Sequence, residues 1–403
     1  VSRYRLQPTA AQEAALLEHC AHARFVWNLA VEQHSWWSRQ RGPAPRFAEQ
    51  CRQLTAARAE HEWLRGGSVT VQQQALRDFA AAMALFYEGS HRLPKWRKAG
   101  RDEGFRVVGQ RGTGVGTHWD VRRLSRNVGQ VKVPKIGWIS FRWSRPVPDG
   151  VKSYRVTRDR AGRWHVAFAT IPEPIPGPGN GAEVGVDRGV VAAVALSTGE
   201  LSTVPTLRPA ERRRLLSLRR KLVRAKRGST RRSRTKLAIS RLRTRETDRR
   251  KDWVEKTTTD LARRFDLIAV EDLKIASMTR SARGTVEAPG RNIRQKTGLN
   301  KAILSAGWGL LVERLEGKAP GRIAKVKPAF TSLTCNACGH CAAENRESQA
   351  VFRCLACGHV ANADVNAACN IRDIAAGRAV TARGGSPLGE PVNREPQPEL
   401  LAA

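Results

Sequence analysis

The chain has 403 residues, 41% of them hydrophobic, so a sizeable core is available and wholesale disorder is excluded. Its 71 Lys plus Arg against 36 Asp plus Glu give a net charge of +35, which makes nucleic acid the expected partner. No apolar run approaches the ~18 residues a spanning helix needs, so no membrane partner is expected, and the opening residues carry no signal-peptide pattern.

Residues 2–8 read as a short strand, and Pro8-Thr9 opens a helix because Thr9 and Gln12 have capping-box spacing. Leu16, Cys20, Ala23, Trp27 and Val31 recur at helical intervals and form one apolar face. Ala-rich helices continue to about residue 88, broken near Gly42-Pro43-Ala44-Pro45 and Gly66-Gly67, so 9–90 reads as a helical bundle. From 91 to 172 the stretches VKVPKIGWISFRW and SYRVTRDRAGRWHVAFATI alternate and suggest antiparallel strands, with Ala161-Gly162 in a hairpin turn. The first strand can pair with these, which makes the helical bundle an insertion in a β-barrel.

PEPIPGPGN (172–180) marks the clearest domain boundary. After it, EVGVDRGVVAAVALSTGE reads as two strands joined by a turn at Arg188-Gly189. Residues 208–264 are helical, and 20 of the 44 residues from 208 to 251 are Lys or Arg. Leu215, Leu218 and Leu222 keep an apolar stripe, which predicts a helical hairpin with a cationic exterior. DLIAVEDL (266–273) is a continuous apolar strand of the kind buried in a parallel sheet. A helix at about 297–316, a strand near 322–327 and a last helix over 364–377 follow, and the Pro/Gly/Glu-rich tail is predicted to be disordered.

The eight cysteines are Cys20, Cys51, Cys335, Cys338, Cys341, Cys354, Cys357 and Cys369, five of them within 335–357. That is metal-site spacing, and with nothing pointing to secretion a reducing cytoplasm is the expected compartment. Cys335-x2-Cys338 and Cys354-x2-Cys357 form two knuckles whose four thiolates complete one tetrahedral structural Zn2+ site. Gly339 and Gly358 follow each second cysteine, where positive φ is needed. Cys341 sets up a competing CxxC with Cys338; the symmetry of CNACGH and CLACGH favours Cys335.

Three carboxylates stand out by order and context. Asp187 sits in the strand after the linker, on the face opposite Val184 and Val186; Glu271 ends the buried strand; Asp364 opens the last helix. Such a trio at one edge of a sheet suits two Mg2+ or Mn2+ ions and an in-line phosphodiester displacement. Asp272 and Asp373 are the competing candidates.

RYRLQPTAAQEAALLEHCAHARFVWNLAVEQ, GVDRGV, AVEDLKI, GLNKAILSAGWG, TSLTCNACGH and FRCLACGHVANADVNAACNI resemble, in order, the motifs of the transposon-associated TnpB family. That family is related to compact type V CRISPR effectors, and the resemblance spans most of the chain. It departs from the family at Ala363, where Arg is frequent, and in a short segment between Leu315 and Lys325. The resemblance implies an α/β RNase H-like (RuvC) nuclease domain with an inserted zinc ribbon, preceded by a wedge-like β-barrel domain carrying a helical insertion. The expected spans are 1–8 and 91–172 for the barrel, 9–90 for a recognition-like bundle, 181–330 and 362–377 for the nuclease, 331–361 for the ribbon and 378–403 for the tail.

It further implies an RNA-guided DNA endonuclease with guide RNA and target DNA as partners, nucleoid-associated when bound to DNA. Asp187, Glu271 and Asp364 carry over as catalytic Mg2+ ligands, and Cys335, Cys338, Cys354 and Cys357 as zinc ligands. Trp36, Trp37, Trp96, Trp138 and Trp143 lie among basic residues and could stack on bases or fill the core. A CRISPR effector and a nuclease-inactive RNA-guided repressor are the alternatives; the repressor differs by loss of carboxylates that are all present here. A transposase with a Tyr nucleophile has only Tyr4, Tyr87 and Tyr154 to draw on.

Overall fold

A computed structural model of the chain describes residues 2–36, 40, 42, 44–101, 103–111, 117–285, 287–378, 384–385 and 391–393. Backbone contacts divide it into two units, Val1–Pro172 with Arg214–Thr244, and Glu173–Arg213 with Arg245–Ala403.

The first unit opens with strand β1 (Ser2–Arg5) and four helices: α1 (Ala10–Ser35), α2 (Phe47–Glu60), α3 (Glu62–Gly66) and α4 (Val69–Tyr87). Thr9 caps α1 reciprocally: its Oγ1 accepts from the Gln12 N–H at 3.3 Å, and Gln12 Oε1 accepts from the Thr9 N–H at 3.1 Å. Leu16, Cys20, Ala23 and Trp27 are buried along α1, with Val31 partly buried beside them. Strands β2 (Gly104–Val108), β3 (Gln110–Arg111), β4 (Thr117–Trp119), β5 (Val121–Arg123), β6 (Val128–Val133), β7 (Gly137–Arg142), β8 (Ser153–Arg158) and β9 (Trp164–Ala169) complete the unit.

An antiparallel sheet runs β1-β9-β8-β2, with Tyr4 opposite Val166, so the chain's first strand closes on the hairpin at its far end. A second sheet runs β5-β6-β7, and a bridge from Leu6 to Phe141 joins β1's continuation to β7. Tyr4, Trp119, Phe141, Tyr154 and Phe168 fill the core edge to face or stacked. Tyr154 donates its hydroxyl to the Lys132 carbonyl at 3.1 Å, which satisfies the polar end of a fully buried ring. Asp78 on α4 accepts from Arg106 of β2 at 3.0 Å and Arg155 of β8 at 2.5 Å, fixing the helices to the sheet.

In the second unit, β10 (Glu183–Asp187), β11 (Val194–Leu196) and β12 (Leu201–Ser202) form a meander. Two basic helices follow, α5 (Pro209–Arg224) and α6 (Thr230–Arg264), of which Arg214–Thr244 belongs to the first unit; the chain then returns to β13 (Leu267–Glu271) and the short α7 (Ile275–Met278). The helix expected at about 297–316 is two helices, α8 (Ile293–Ala306) and α9 (Trp308–Lys318). Gly307 breaks it with φ +75°, a conformation without cost for glycine. Then come β14 (Ile323–Val326), β15 (Val351–Arg353), β16 (Val360–Asn362) and α10 (Ala363–Ala375). Most of the tail beyond 378, and with it the expectation of disorder, lies outside the described residues; β17 (Gly384–Gly385) pairs there with β18 (Pro391–Asn393).

The main sheet has the order β12-β11-β10-β13-β14, with β10, β13 and β14 parallel. Val184, Val186, Ile268 and Val270 share a core with Val254 and Leu261 of α6 and Leu311 and Leu315 of α9. Ala269 and Val326 meet Ile371 of α10 in a second cluster, so β13 is apolar throughout because both faces are covered. The close approach of α10 to β10 is set at Gly185, where an added Cβ would lie 1.8 Å from the Ala368 carbonyl oxygen.

Gly185→Ala is therefore expected to cost about 1–3 kcal/mol by overpacking. Gly317→Ala, in α9 with open space around it, should gain about 0.5–1 kcal/mol from helix propensity. Denaturant melts of both variants check the pair; equal effects would contradict the packing.

Candidate active site

The parallel register sets Val184 beside Ile268 and Val186 beside Val270, so Asp187 and Glu271 end neighbouring strands at the same level. Side chains alternate along a strand, which puts both carboxylates on the face of Gly185 and Ala269, the face that α10 covers. Asp364 lies one helical turn before Ala368, the residue over Gly185, and so arrives above the same strand ends. Asn362 fixes that start: its side-chain oxygen accepts from the Asp364 and Val365 N–H groups at 3.0 and 3.2 Å.

Burial pushes the Asp187 carboxyl up to about 7, and the charges of Glu271 and Asp364 push the same way. Glu271 is also raised by burial, opposed by a hydrogen bond from Thr331 Oγ1 to its Oε1 at 2.9 Å and by the Arg188 charge. Arg346 Nη2 pairs with Asp364 Oδ1 at 3.2 Å. Three carboxylates coupled by like charge form an oxygen donor set of the kind Mg2+ or Mn2+ prefers. They are not drawn as tightly together as the cysteines: among the described residues the four thiols are the group of metal-type ligand atoms gathered within 4.8 Å.

Asp272 and Asp373 are engaged by other partners. Asp272 pairs with Lys274 at 2.6 Å, and Asp373 is held by Arg372 and Asn336.

Cys335, Cys338, Cys354 and Cys357 form that cluster, and Cys341 stands outside it, bridged through its backbone to Thr334. The two knuckles carry matching backbone bonds, Gly339 N–H to Cys335 O and Gly358 N–H to Cys354 O, at 2.9 and 3.0 Å. Both glycines have positive φ, +79° and +71°. Four sulfurs with no fifth ligand type fit a closed Zn2+ site. Fully buried Asn345 ties the knuckles together by donating to Leu333 O and His340 O and accepting from the Leu355 N–H.

Comparison with known proteins gives the family of the chain. A curated Escherichia coli K12 protein, "Putative RNA-guided DNA endonuclease InsQ", is 34% identical over 100% of this chain and 98% of its own. The chain belongs to the TnpB family. A Streptomyces pristinaespiralis relative, "Putative RNA-guided DNA endonuclease", is 32% identical over 84% of this chain and 80% of its own. The IS605-type family model described as "Probable transposase" matches residues 165–282, and "Cas12f1-like, TNB domain" matches 308–371. A "Helix-turn-helix domain" model matches 2–43, where the described residues form β1 and the single helix α1. The fold is similar to that in a solved Cas12f1-sgRNA-target DNA complex, with a TM-score of 0.52 and 15% identity over 90% of this chain and 82% of that one.

This TnpB-family chain adds residues that sequence reasoning passed over. Asn366 Nδ2 donates to Thr334 O at 2.8 Å, and Asn370 Nδ2 donates to Thr331 O and Thr334 O at 2.8 and 2.7 Å. With Asn362 these asparagines form an i, i+4, i+8 row, in which Asn366 and Asn370 fasten the cysteine segment to α10 and Asn362 caps the helix. That row was visible as a polar stripe on an apolar helix. Nothing in sequence flagged Thr331 or Arg346, because each meets its carboxylate only through tertiary contact. A cavity of about 730 Å3 lies in the first unit's helical layer near Phe47, Phe79 and Met83, and is lined by none of these carboxylates.

Two outcomes follow for the second unit. Asp187 holds a proton up to about 7 in the folded state but only to ~3.9 when unfolded. Its stabilising contribution is complete below the unfolded value and is lost as pH rises through the folded one. Asp187→Asn should therefore raise the melting temperature in Mg2+-free buffer at pH 8 more than at pH 5; the same shift at both pH values would contradict the burial of this charge. Removing metal from the cysteine cluster should speed hydrogen exchange in 363–375 as well as in the knuckles, through Asn366 and Asn370. Unchanged exchange in α10 would separate the two.

Proposed function

We propose that this chain is an RNA-guided DNA endonuclease, with Asp187, Glu271 and Asp364 as the ligands of two divalent cations and the four clustered cysteines as the ligands of one structural Zn2+. Carrying the reading is the side-by-side ending of β10 and β13 beneath the start of α10, in a chain whose full length matches a relative bearing that name. The sheet order, third-second-first-fourth-fifth by strands of this unit, supports an RNase H-like (RuvC) domain. Strand β1 closing on β9, and Leu6 bridging to Phe141, support a wedge-like barrel with α1–α4 inserted.

Asp187, Glu271 and Asp364 would hold Mg2+ or Mn2+, which would supply water activation and charge stabilisation for phosphodiester hydrolysis. The chain's own part is to hold the donors. Asn362 fixes the Asp364 backbone, Thr331 orients Glu271, and α10 excludes water from the sheet face beneath them. Arg346, paired with Asp364, would offer its guanidinium to a phosphate oxygen of the bound nucleic acid. The +35 charge holds guide RNA and target DNA. No helix of the described residues is long and apolar enough to cross a membrane.

A CRISPR effector role is the second reading, favoured by the Cas12f1-like match over 308–371. Sequencing RNA that copurifies with the protein expressed from its native locus decides between them. An RNA ending in a variable segment of ~15–20 nucleotides establishes guidance, and its genomic source separates transposon from CRISPR array. Asp187→Ala should abolish cleavage of a matched DNA target while RNA affinity stays within about twofold; full cleavage by that variant would sink the site assignment.

A further inference from the structure

Arg188 follows Asp187 directly, yet its side chain reaches away from the carboxylate oxygens. It is 5% exposed, and among the described residues it forms no ion pair. Its Nη2 donates to the carbonyl of Glu271, its Nη1 to the carbonyl of Trp308 at 3.4 Å, and its Nε is buried without a partner. Trp308 returns the contact, its indole N–H donating to Gly189 O at 3.1 Å. One guanidinium thus joins the end of β10, the end of β13 and the start of α9, with the Gly189–Trp308 bond closing the loop.

Burying a guanidinium without a carboxylate partner is costly unless the surrounding field offsets it. Here burial still lowers the Arg188 pKa, and the charges of Glu271, Asp187 and Asp272 offset that in part by favouring the cation. A planar fork suits the task because it engages two carbonyls at once, which a lysine cannot do. The Glu271 carbonyl also accepts from the Leu273 N–H at 3.0 Å, so the backbone that carries Glu271 is held from two directions. Arg346 differs: it contacts a carboxylate oxygen and competes for a ligand position, whereas Arg188 leaves every carboxylate oxygen free of itself.

We propose that Arg188 is a positioning residue of the metal site, locking the Glu271 strand end against β10 and α9 as a permanent counter-charge behind the three carboxylates. The inference rests on the carboxylate-site reading given above, and its test is metal binding by the full chain without nucleic acid, with no cleavage readout. Mn2+ is titrated into wild type, Arg188→Lys and Arg188→Gln, with bound metal followed by electron paramagnetic resonance and folding by circular dichroism. Lysine keeps the charge without the fork, and glutamine keeps one donor without the charge, so each tests half of the role.

Both variants are expected to bind Mn2+ about 10–100-fold more weakly, the range for residues that orient metal ligands. Wild-type affinity in either folded variant overturns the proposal, and if the glutamine variant does not fold the lysine variant decides. A wild-type chain that binds no Mn2+ overturns instead the assignment of the carboxylates, which keeps the two failures apart.

Discussion

Everything in the second unit depends on one close contact, α10 lying across β10 at Gly185. A side chain there would stand 1.8 Å from the Ala368 carbonyl, so only glycine allows the helix backbone to rest on the strand. That proximity brings the first turn of α10 over the ends of β10 and β13, and it puts Asp364 into the field of Asp187 and Glu271.

The helix is kept in place by polar contacts that are themselves buried. Asn366 and Asn370 are nearly inaccessible and give their amide protons to Thr331 and Thr334, the residues that lead into the first cysteine knuckle. A buried amide left without partners is expensive, so the knuckle and the helix stabilise each other's position. Thr331 adds a second link, since its hydroxyl meets Glu271 while its carbonyl meets Asn370. The cysteine cluster lies outside the carboxylate set, yet its segment is one or two hydrogen bonds from two of the three carboxylates.

Charge is arranged in two layers around the carboxylates. Arg188 sits behind them on backbone carbonyls, and Arg346 sits on Asp364 itself. The first unit spends its arginines differently. Arg106 and Arg155 converge on Asp78 to dock a helix, and Arg122 lies 4.3 Å from the Trp138 ring centroid on the β5–β7 sheet. The tryptophans divide accordingly. Trp143 stacks on Phe141, with space left by Gly129, as a packing residue would; Trp36 and Trp96 are more than half exposed; and Trp37 lies outside the described residues.

By itself the sequence determined whatever is local. The Thr9–Gln12 cap, the apolar face of α1, the continuous strand at 267–271 and the two CxxC knuckles with their glycines are set by neighbours within a few residues. The same holds for the three carboxylates, legible because each occupies a strand end or helix start that its own segment defines. Tertiary structure alone decided the register of β10 against β13, the division of one expected helix at Gly307, and the partners of Arg188, Thr331 and Arg346. Those pairings join residues from 18 to 120 positions apart. No periodicity or spacing encodes such distances, because they follow from how α10 and the sheet pack and not from the chain around either residue.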